Sequence, residues 1–424
     1  MIKFSNMYFF FYLGWLFLSI SFFFKHTKGF QWIGLILLFL FSLYIIKKDW
    51  RLILNTFRNP LMILLIFLIC LFWFVLISPY KMASLEAFLL NYFFHIGLFF
   101  LFLLFAYKEK NTYFPGSLFW YILGAVTLLS IFYYYFYVFK NCNYLLSCTL
   151  SSPFIYLNQS LFKGVVSTSA PFVFSFLAFL GLFLSIKNKE RYLYFLISFS
   201  IFLFLIYIGR RAALLGIFLS FLFLFLFSQN KALKKLAFSL IVILLLIIGI
   251  FLSTHEGKIV LIKSRDNISL LLTSDPKKWA QSGSMGMRLY IWPIYFKKSL
   301  EEPFSGTGLG RRVQKRVLSE TNKKALSLEH AHILFLNLAL QAGWHTALIF
   351  LFFYLWTFKK GYHLWRNSKE HPFFTSLFLF LISFFIMSLF EGMEEGSRFT
   401  TFWITSGLVW GYEQRYQEKS SFST

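Results

Sequence analysis

The sequence predicts an all-α, polytopic integral membrane protein of about twelve transmembrane helices, with one large outer loop between the ninth and tenth. Three observations carry that expectation. Of 424 residues, 58% are hydrophobic and only 14% charged, with 62 phenylalanines; a soluble chain of this make-up would leave surplus apolar surface in water. Apolar windows long enough to cross a bilayer recur throughout. A single long polar stretch, about 254–331, interrupts them.

The expected spans run near 8–24, 30–46, 61–77, 88–107, 116–138, 169–186, 192–208, 212–228, 236–253, 333–357, 373–390 and 399–414. They divide the chain into 1–253 with nine spans, 254–331 as the large loop, and 332–424 with three more spans and a short tail. The first apolar run, Tyr8 to Phe24, lacks a small-residue cleavage site and is followed at once by further spans. It reads as a retained helix rather than a cleaved signal.

Orientation follows from charge. Lys47, Lys48, Arg51 and Arg58, then Lys108 and Lys110, then Lys187, Lys189 and Arg191 fall in one set of loops. Lys231, Lys234 and Lys235, Lys359, Lys360, Arg366 and Lys369, and finally Arg415 and Lys419 continue it. Both termini and this basic set are expected in the cytoplasm. The opposite, outer side then holds the loop with Cys142 and Cys148, the Arg210-Arg211 junction, the 254–331 loop and the acidic turn Glu391 to Arg398. Leu289 to Leu300 is expected to form an amphipathic helix at the interface, ended by Pro303 and the glycines after it.

The formal net charge of +24 does not imply nucleic acid, because the Lys and Arg residues sit mainly in short caps between apolar runs and anchor helices to anionic lipid. Three cysteines make no disulfide scaffold; Cys142 and Cys148 are close enough in sequence to pair in an oxidising compartment. The chain has no phosphate-binding loop, dinucleotide fingerprint or HExxH element, so neither a nucleotide motor nor a zinc peptidase is indicated.

The candidate chemistry gathers at the outer edge. Arg210 and Arg211 sit between two apolar runs; they suit either a bidentate clamp on phosphate oxygens or snorkelling to head groups. Arg288, in Met285-Gly-Met-Arg288-Leu-Tyr-Ile-Trp292, is either a second contact to the same anion or a solvated loop residue. His332 stands where the large loop re-enters the membrane, and an imidazole there can take a proton from a hydroxyl nucleophile. His330 lies two residues before it and Asn337 five after; no firm third ligand accompanies the two histidines, so no metal is expected. Glu391, Glu394, Glu395 and Arg398 are available to orient a histidine or pair with an arginine. Gly306, Gly308 and Gly310 permit a tight backbone turn.

Taken together, these residues resemble the O-antigen ligase / O-antigen polymerase family of bacterial membrane glycosyltransferases. The resemblance rests on the twelve-span plan with its large loop and on three local elements. Arg210-Arg211-Ala212-Ala213-Leu-Leu-Gly216 is similar to the family's Ser-Arg-Gly/Ala element, with Arg211 on the family arginine. Arg288, Trp292, Pro303 and Gly306-Thr-Gly308 match its arginine, tryptophan and Pro…Gly-x-Gly turn. His330-Ala-His332-Ile333, with Gly343 downstream, matches its His-x-His-Asn element, except that isoleucine stands where asparagine is usual and arginine where serine is usual. Asn337 or Glu329 is then left to replace that asparagine.

The resemblance implies transfer of a glycan from an undecaprenyl-diphosphate-linked donor to a hydroxyl of lipid A–core. The reaction would occur on the periplasmic face of the inner membrane, without nucleotide sugar, cofactor or metal. In this picture His332 is the base, Arg211 and Arg288, with Arg210, hold the diphosphate, and His330, Asn337, Glu391, Glu395 and Arg398 support them. The alternatives within the same chemistry are a polymerase extending a lipid-linked chain and a transferase for a protein acceptor. A polysaccharide exporter is the alternative of another class, and it should carry charges deep in several spans or an internal two-fold repeat.

Overall fold

The structure, a computed structural model, describes residues 2–24, 27–108, 116–141, 165–207, 211–273, 275–279, 282–310, 313, 331–393 and 396–421. Its elements are helices: α1 Ile2–Phe23, α2 Lys28–Thr56, α3 Arg58–Ile77, α4 Lys81–Lys108 with a π-helical turn at Leu89–Phe93, α5 Gly116–Asn141, α6 Val165–Ser185, α7 Glu190–Tyr207 and α8 Arg211–Phe227. They continue with α9 Lys231–Ser253, α10 His255–Leu271, α11 Pro276–Trp279, α12 Gly283–Glu301, α13 Leu334–Asn367, α14 Pro372–Ser388 and α15 Gly396–Ser421. No strand element occurs among the described residues, as water-free lipid demands of a backbone that does not close into a barrel.

The expectation of about twelve spans is corrected. Among the described residues, six helices are long and apolar enough to cross a membrane: Lys28–Thr56, Arg58–Ile77, Lys81–Lys108, Leu118–Phe136, Lys231–Ile250 and Leu334–Asn367. The runs Phe9–Phe23, Ser169–Ser185, Arg211–Phe227 and Pro372–Ser388 are apolar but at most 17 residues long. At about 1.5 Å per residue α8 and α14 measure about 25 Å, short of a hydrocarbon core of about 30 Å, while in α1 and α6 it is the apolar part of a longer helix that falls short. The last expected span, in α15, is excluded by its polarity rather than its length. In α15 the polar side chains Thr400, Thr401, Thr405, Ser406 and Glu413 are buried inside the protein. Thr405 and Ser406 hydroxyls donate to carbonyls one turn back, at 2.9 and 2.8 Å, so these groups are satisfied without water. The protein is a multi-pass membrane protein, with fewer spans of full length than apolar runs among the described residues.

The bundle centres on α4 and α15. A Cβ at Gly407 would overlap the Phe99 carbonyl and one at Gly411 the Leu103 carbonyl, so the two small residues one turn apart let the helix backbones touch. His95 of α4 and Thr400 of α15, both fully buried, share a hydrogen bond of 2.6 Å. The most apolar stretch of α4 is 83% buried, whereas that of α9 is 17% buried, so α9 meets lipid around most of its circumference.

Helix register brings several termini to one place. Ser220 of α8 donates to the Leu379 carbonyl of α14 (3.0 Å), and Ser228, just past α8, reaches Glu370, just before α14. The two helices are therefore antiparallel, and α8 begins where α14 ends. Likewise Ser169, near the start of α6, contacts Glu391 just past α14. Trp410 of α15 donates to Thr357 of α13 (3.0 Å) and Phe399 packs on Phe350 with ring centroids 5.4 Å apart, so these two helices run parallel. The starts of α6, α8, α13 and α15 and the end of α14 thus share the His332 end of the bundle.

The opposite end is closed by Glu370. Its carboxylate accepts from the backbone N–H groups of Gln229 (2.8 Å) and Asn230 (3.0 Å), from the Ser228 hydroxyl and from Arg366 Nη1 (2.8 Å). Burial alone would raise its pKa; these donors outweigh it and hold the carboxyl below its ordinary value. A depressed folded-state pKa contributes stability that is present above the unfolded value, about 4.3, and lost as pH falls through the folded one. We expect Glu370→Gln to lower stability by about 1–3 kcal/mol at neutral pH. In thermal unfolding of the detergent-solubilised protein, the gap to wild type should narrow as pH drops below about 4.3. A gap independent of pH would mean that ionised Glu370 contributes nothing.

Candidate active site

His332 takes a left-handed backbone conformation, with φ 57°, two residues before α13 begins. For a residue with a Cβ this costs about 1–2 kcal/mol, so neighbouring contacts must hold it. Both polar groups of the preceding residue are held. The indole Nε1 of Trp292, on α12, donates to the Ala331 carbonyl at 2.7 Å. The Ala331 N–H donates to Oδ1 of Asn337, fully buried in the first turns of α13, at 2.8 Å. Around this point Ile291, Tyr295, Ala331, Leu336 and Leu340 form a small buried cluster of their own, with Met287, Ile333 and Trp344 packed against it. A further bond, Trp344 Nε1 to Ser299 Oγ at 3.2 Å, ties α12 to α13 on the far side of the cluster.

Arg288 lies four residues before Trp292, hence one turn away on the same side of α12. It is half-buried. Burial lowers its pKa, and the negative charge of Glu391 acts in the opposite direction. Glu391 is itself buried; its Oε2 accepts from the Ser169 hydroxyl at 3.3 Å and lies 3.9 Å from Arg398 Nη1. One carboxylate therefore faces arginines from two elements, α12 and α15. A buried guanidinium needs such a partner, since an unpaired charge there would be costly.

The sequence-derived candidates are placed unequally. His332 and Asn337 meet through Ala331, and Arg288, Glu391 and Arg398 meet electrostatically. Asn337 thereby acts on backbone. Arg211 stands exposed as the first residue of α8 and reaches the His332 end by the antiparallel register of α8 and α14. Arg210, His330, Glu395, Glu329 and the pair Cys142 and Cys148 lie outside the described residues. Among the described residues no three His, Cys, Asp or Glu side chains cluster as a metal site would require.

The glycine turn has a structural task. Helix α13 is interrupted at Ala342 and Gly343, the latter with φ 76°. The interruption leaves carbonyls without helical partners, and the 303–310 segment fills them: Thr307 N–H donates to Leu340 O (2.7 Å) and Gly308 N–H to Gln341 O (3.0 Å). In return Trp344 N–H donates to Pro303 O (2.8 Å) and the Gln341 side chain accepts from Gly310 N–H (2.9 Å). Gly306, at φ 59°, approaches so closely that a Cβ would stand 2.5 Å from the Gln341 oxygen. The helix expected over 289–300 extends from Gly283 to Glu301, and α10 and α11 precede it in the polar segment.

Between these elements lies an apolar groove of about 720 Å³, lined among others by Trp279, Leu289, Trp292, Phe296, Ile333 and Leu336. It adjoins the residue after His332. Sequence reasoning missed this groove, the Trp292 bond to Ala331 and the contact of Ser169 with Glu391. A glycine following Gln341-Ala342 inside an apolar run was the available signal for the break in α13.

Residues 193–352 match the family model described as O-antigen ligase. The match takes in Arg211, Arg288, Trp292, His332, Asn337 and Gly343, and ends before Glu391 and Arg398. No curated protein matches the chain.

Because alanine at position 306 would combine an unfavourable φ with an overlap on backbone, we expect Gly306→Ala to destabilise the protein by about 2 kcal/mol or more. The check is thermal unfolding in detergent, with Gly29→Ala as control, since a Cβ there meets nothing within 4 Å. Equal melting temperatures for the two variants would overturn the role given to the turn.

Proposed function

From the match to the O-antigen ligase family model, we infer that this protein transfers a glycan from undecaprenyl diphosphate to a sugar hydroxyl of lipid A–core at the periplasmic face of the inner membrane. The family match supports lipid-linked glycan transfer in general; the acceptor, the face and the residue roles are our reading. The observation that carries it is the Trp292–Ala331–Asn337 connection, which joins the helix bearing Arg288 to the segment bearing His332.

In the proposed reaction the acceptor hydroxyl loses its proton to the His332 imidazole as its oxygen attacks the anomeric carbon of the donor glycan. The bond from that carbon to the diphosphate oxygen breaks, and undecaprenyl diphosphate leaves with the electron pair. Attack opposite the leaving group inverts the anomeric centre. Arg288 and Arg211, with Arg210, offset the charge on the departing diphosphate. Glu391 and Arg398 support Arg288, and the groove beside Ile333 offers the isoprenoid tail an apolar surface. The 254–331 loop and the helix ends share this site. The basic loops, with their ion pairs Lys360–Glu413 and Arg366–Glu370, support a cytoplasmic Glu370 end with both termini.

Reconstitution of the full chain in vesicles, with donor and lipid A–core extracted from the producing cells, tests this reading. His332→Ala should reduce transfer about 100-fold or more while donor binding persists, the scale expected for a lost general base. Undiminished transfer would remove His332 from that role. Arg288→Lys and Arg211→Lys should each slow transfer about 10-fold, because an ammonium cannot reproduce a bidentate guanidinium contact; rates equal to wild type would leave no role for bidentate geometry. Product found on a growing lipid-linked chain or on protein, and not on lipid A–core, would reassign the acceptor.

A further inference from the structure

We propose that Trp292 and Asn337 are positioning residues for His332, setting its imidazole relative to Arg288 through the backbone of Ala331; this rests on the catalytic reading of His332 above. The backbone torsion φ at His332 is the quantity at stake. That torsion turns about the bond following the Ala331–His332 peptide, and the carbonyl of this peptide is the group that the Trp292 indole holds at 2.7 Å. The peptide one step earlier is held through its N–H by Asn337 at 2.8 Å. On the other side, Ile333 packs into the small apolar cluster, and its carbonyl accepts from Asn337 N–H at 2.9 Å as α13 begins. His332 is therefore bracketed by fixed groups on both sides, and its left-handed φ of 57° is the one they leave it.

The bracket has a direction. Trp292 belongs to the helix of Arg288 and sits one turn from it, so the indole bond sets a distance between a diphosphate-binding group and a proton acceptor. Asn337 anchors the same residue to α13. Leucine or phenylalanine at these places would fill similar space and keep the apolar cluster, but would release the Ala331 peptides. A general base displaced by about 1 Å loses about 100-fold in rate, while groups that only bind donor are unaffected. A packing role alone predicts something else: loss of melting temperature and donor affinity together, whatever residue occupies position 332.

The test is the vesicle assay with Trp292→Phe, Asn337→Leu and Asn337→Asp, each made in wild type and in His332→Ala. Trp292→Phe should lower kcat about 10-fold or more with the donor KM within about twofold. In the His332→Ala background it should change residual transfer by less than about twofold, since residues acting through one group are not additive. Asn337→Leu should behave alike, and Asn337→Asp, which keeps an oxygen for the Ala331 N–H, should recover most of the loss. The Asn337 pair decides the matter should Trp292→Phe fail to fold. Equal fold-losses in both backgrounds, no loss at all, or Asn337→Asp as impaired as Asn337→Leu would each overturn the proposal. Full activity of His332→Ala alone would instead overturn the catalytic reading beneath it.

Discussion

The site depends on an interruption in one helix. Where α13 breaks at Ala342 and Gly343, the carbonyls of Leu340 and Gln341 lose their helical donors. Deep in a membrane protein such groups must be satisfied by the protein itself. Thr307 and Gly308 supply the missing N–H groups, which draws the end of the polar segment down onto the bundle. With that end tied, α12 lies along the first turns of α13, and the indole of Trp292 comes within reach of Ala331. Filling the break with a regular helix would remove the acceptors and with them the reason for the polar segment to dock.

The two ends of the bundle use buried carboxylates differently. Glu370 is surrounded by four donors, two of them backbone, and joins the α8–α9 turn to the α13–α14 turn. It is a structural clasp with nothing left to offer a ligand. Glu391 has a sparser surrounding of one hydroxyl at 3.3 Å, an arginine at 3.9 Å and the more distant charge of Arg288. Among the described residues, two arginines thus face one carboxylate. Glu391 thereby offsets part of the cost of taking the half-buried Arg288 guanidinium out of water.

Much of this was legible in the sequence, for reasons that also mark where legibility stops. Helical character follows from composition, because lipid leaves an open chain few other ways to satisfy its backbone. Candidate residues were found at 288, 332, 337, 391 and 398 because polar groups are conspicuous at the edges of apolar runs. The number of spans was overestimated because an apolar run is not the same as an apolar helix of full length: α8 and α14 are too short, and the buried polar side chains of α15 make it too polar. Nor could sequence alone show that Asn337 would grip a backbone N–H, since that depends on where Ala331 is brought by a helix some forty residues earlier. The glycines at 306, 308 and 343 were visible as turn formers, but their joint purpose required the broken helix to be seen.

The contrast between α4 and α9 bears on how freely the sequence can drift. Along α9, with most of its surface in lipid, the bilayer asks only for low polarity. Leucine, isoleucine, valine and phenylalanine are nearly interchangeable by that criterion. Along α4 the same exchanges would open a void or force an overlap against α15, whose glycines leave no slack. Two helices of similar composition thus live under unlike constraints: one is answerable to a solvent, the other to the shape of its neighbour.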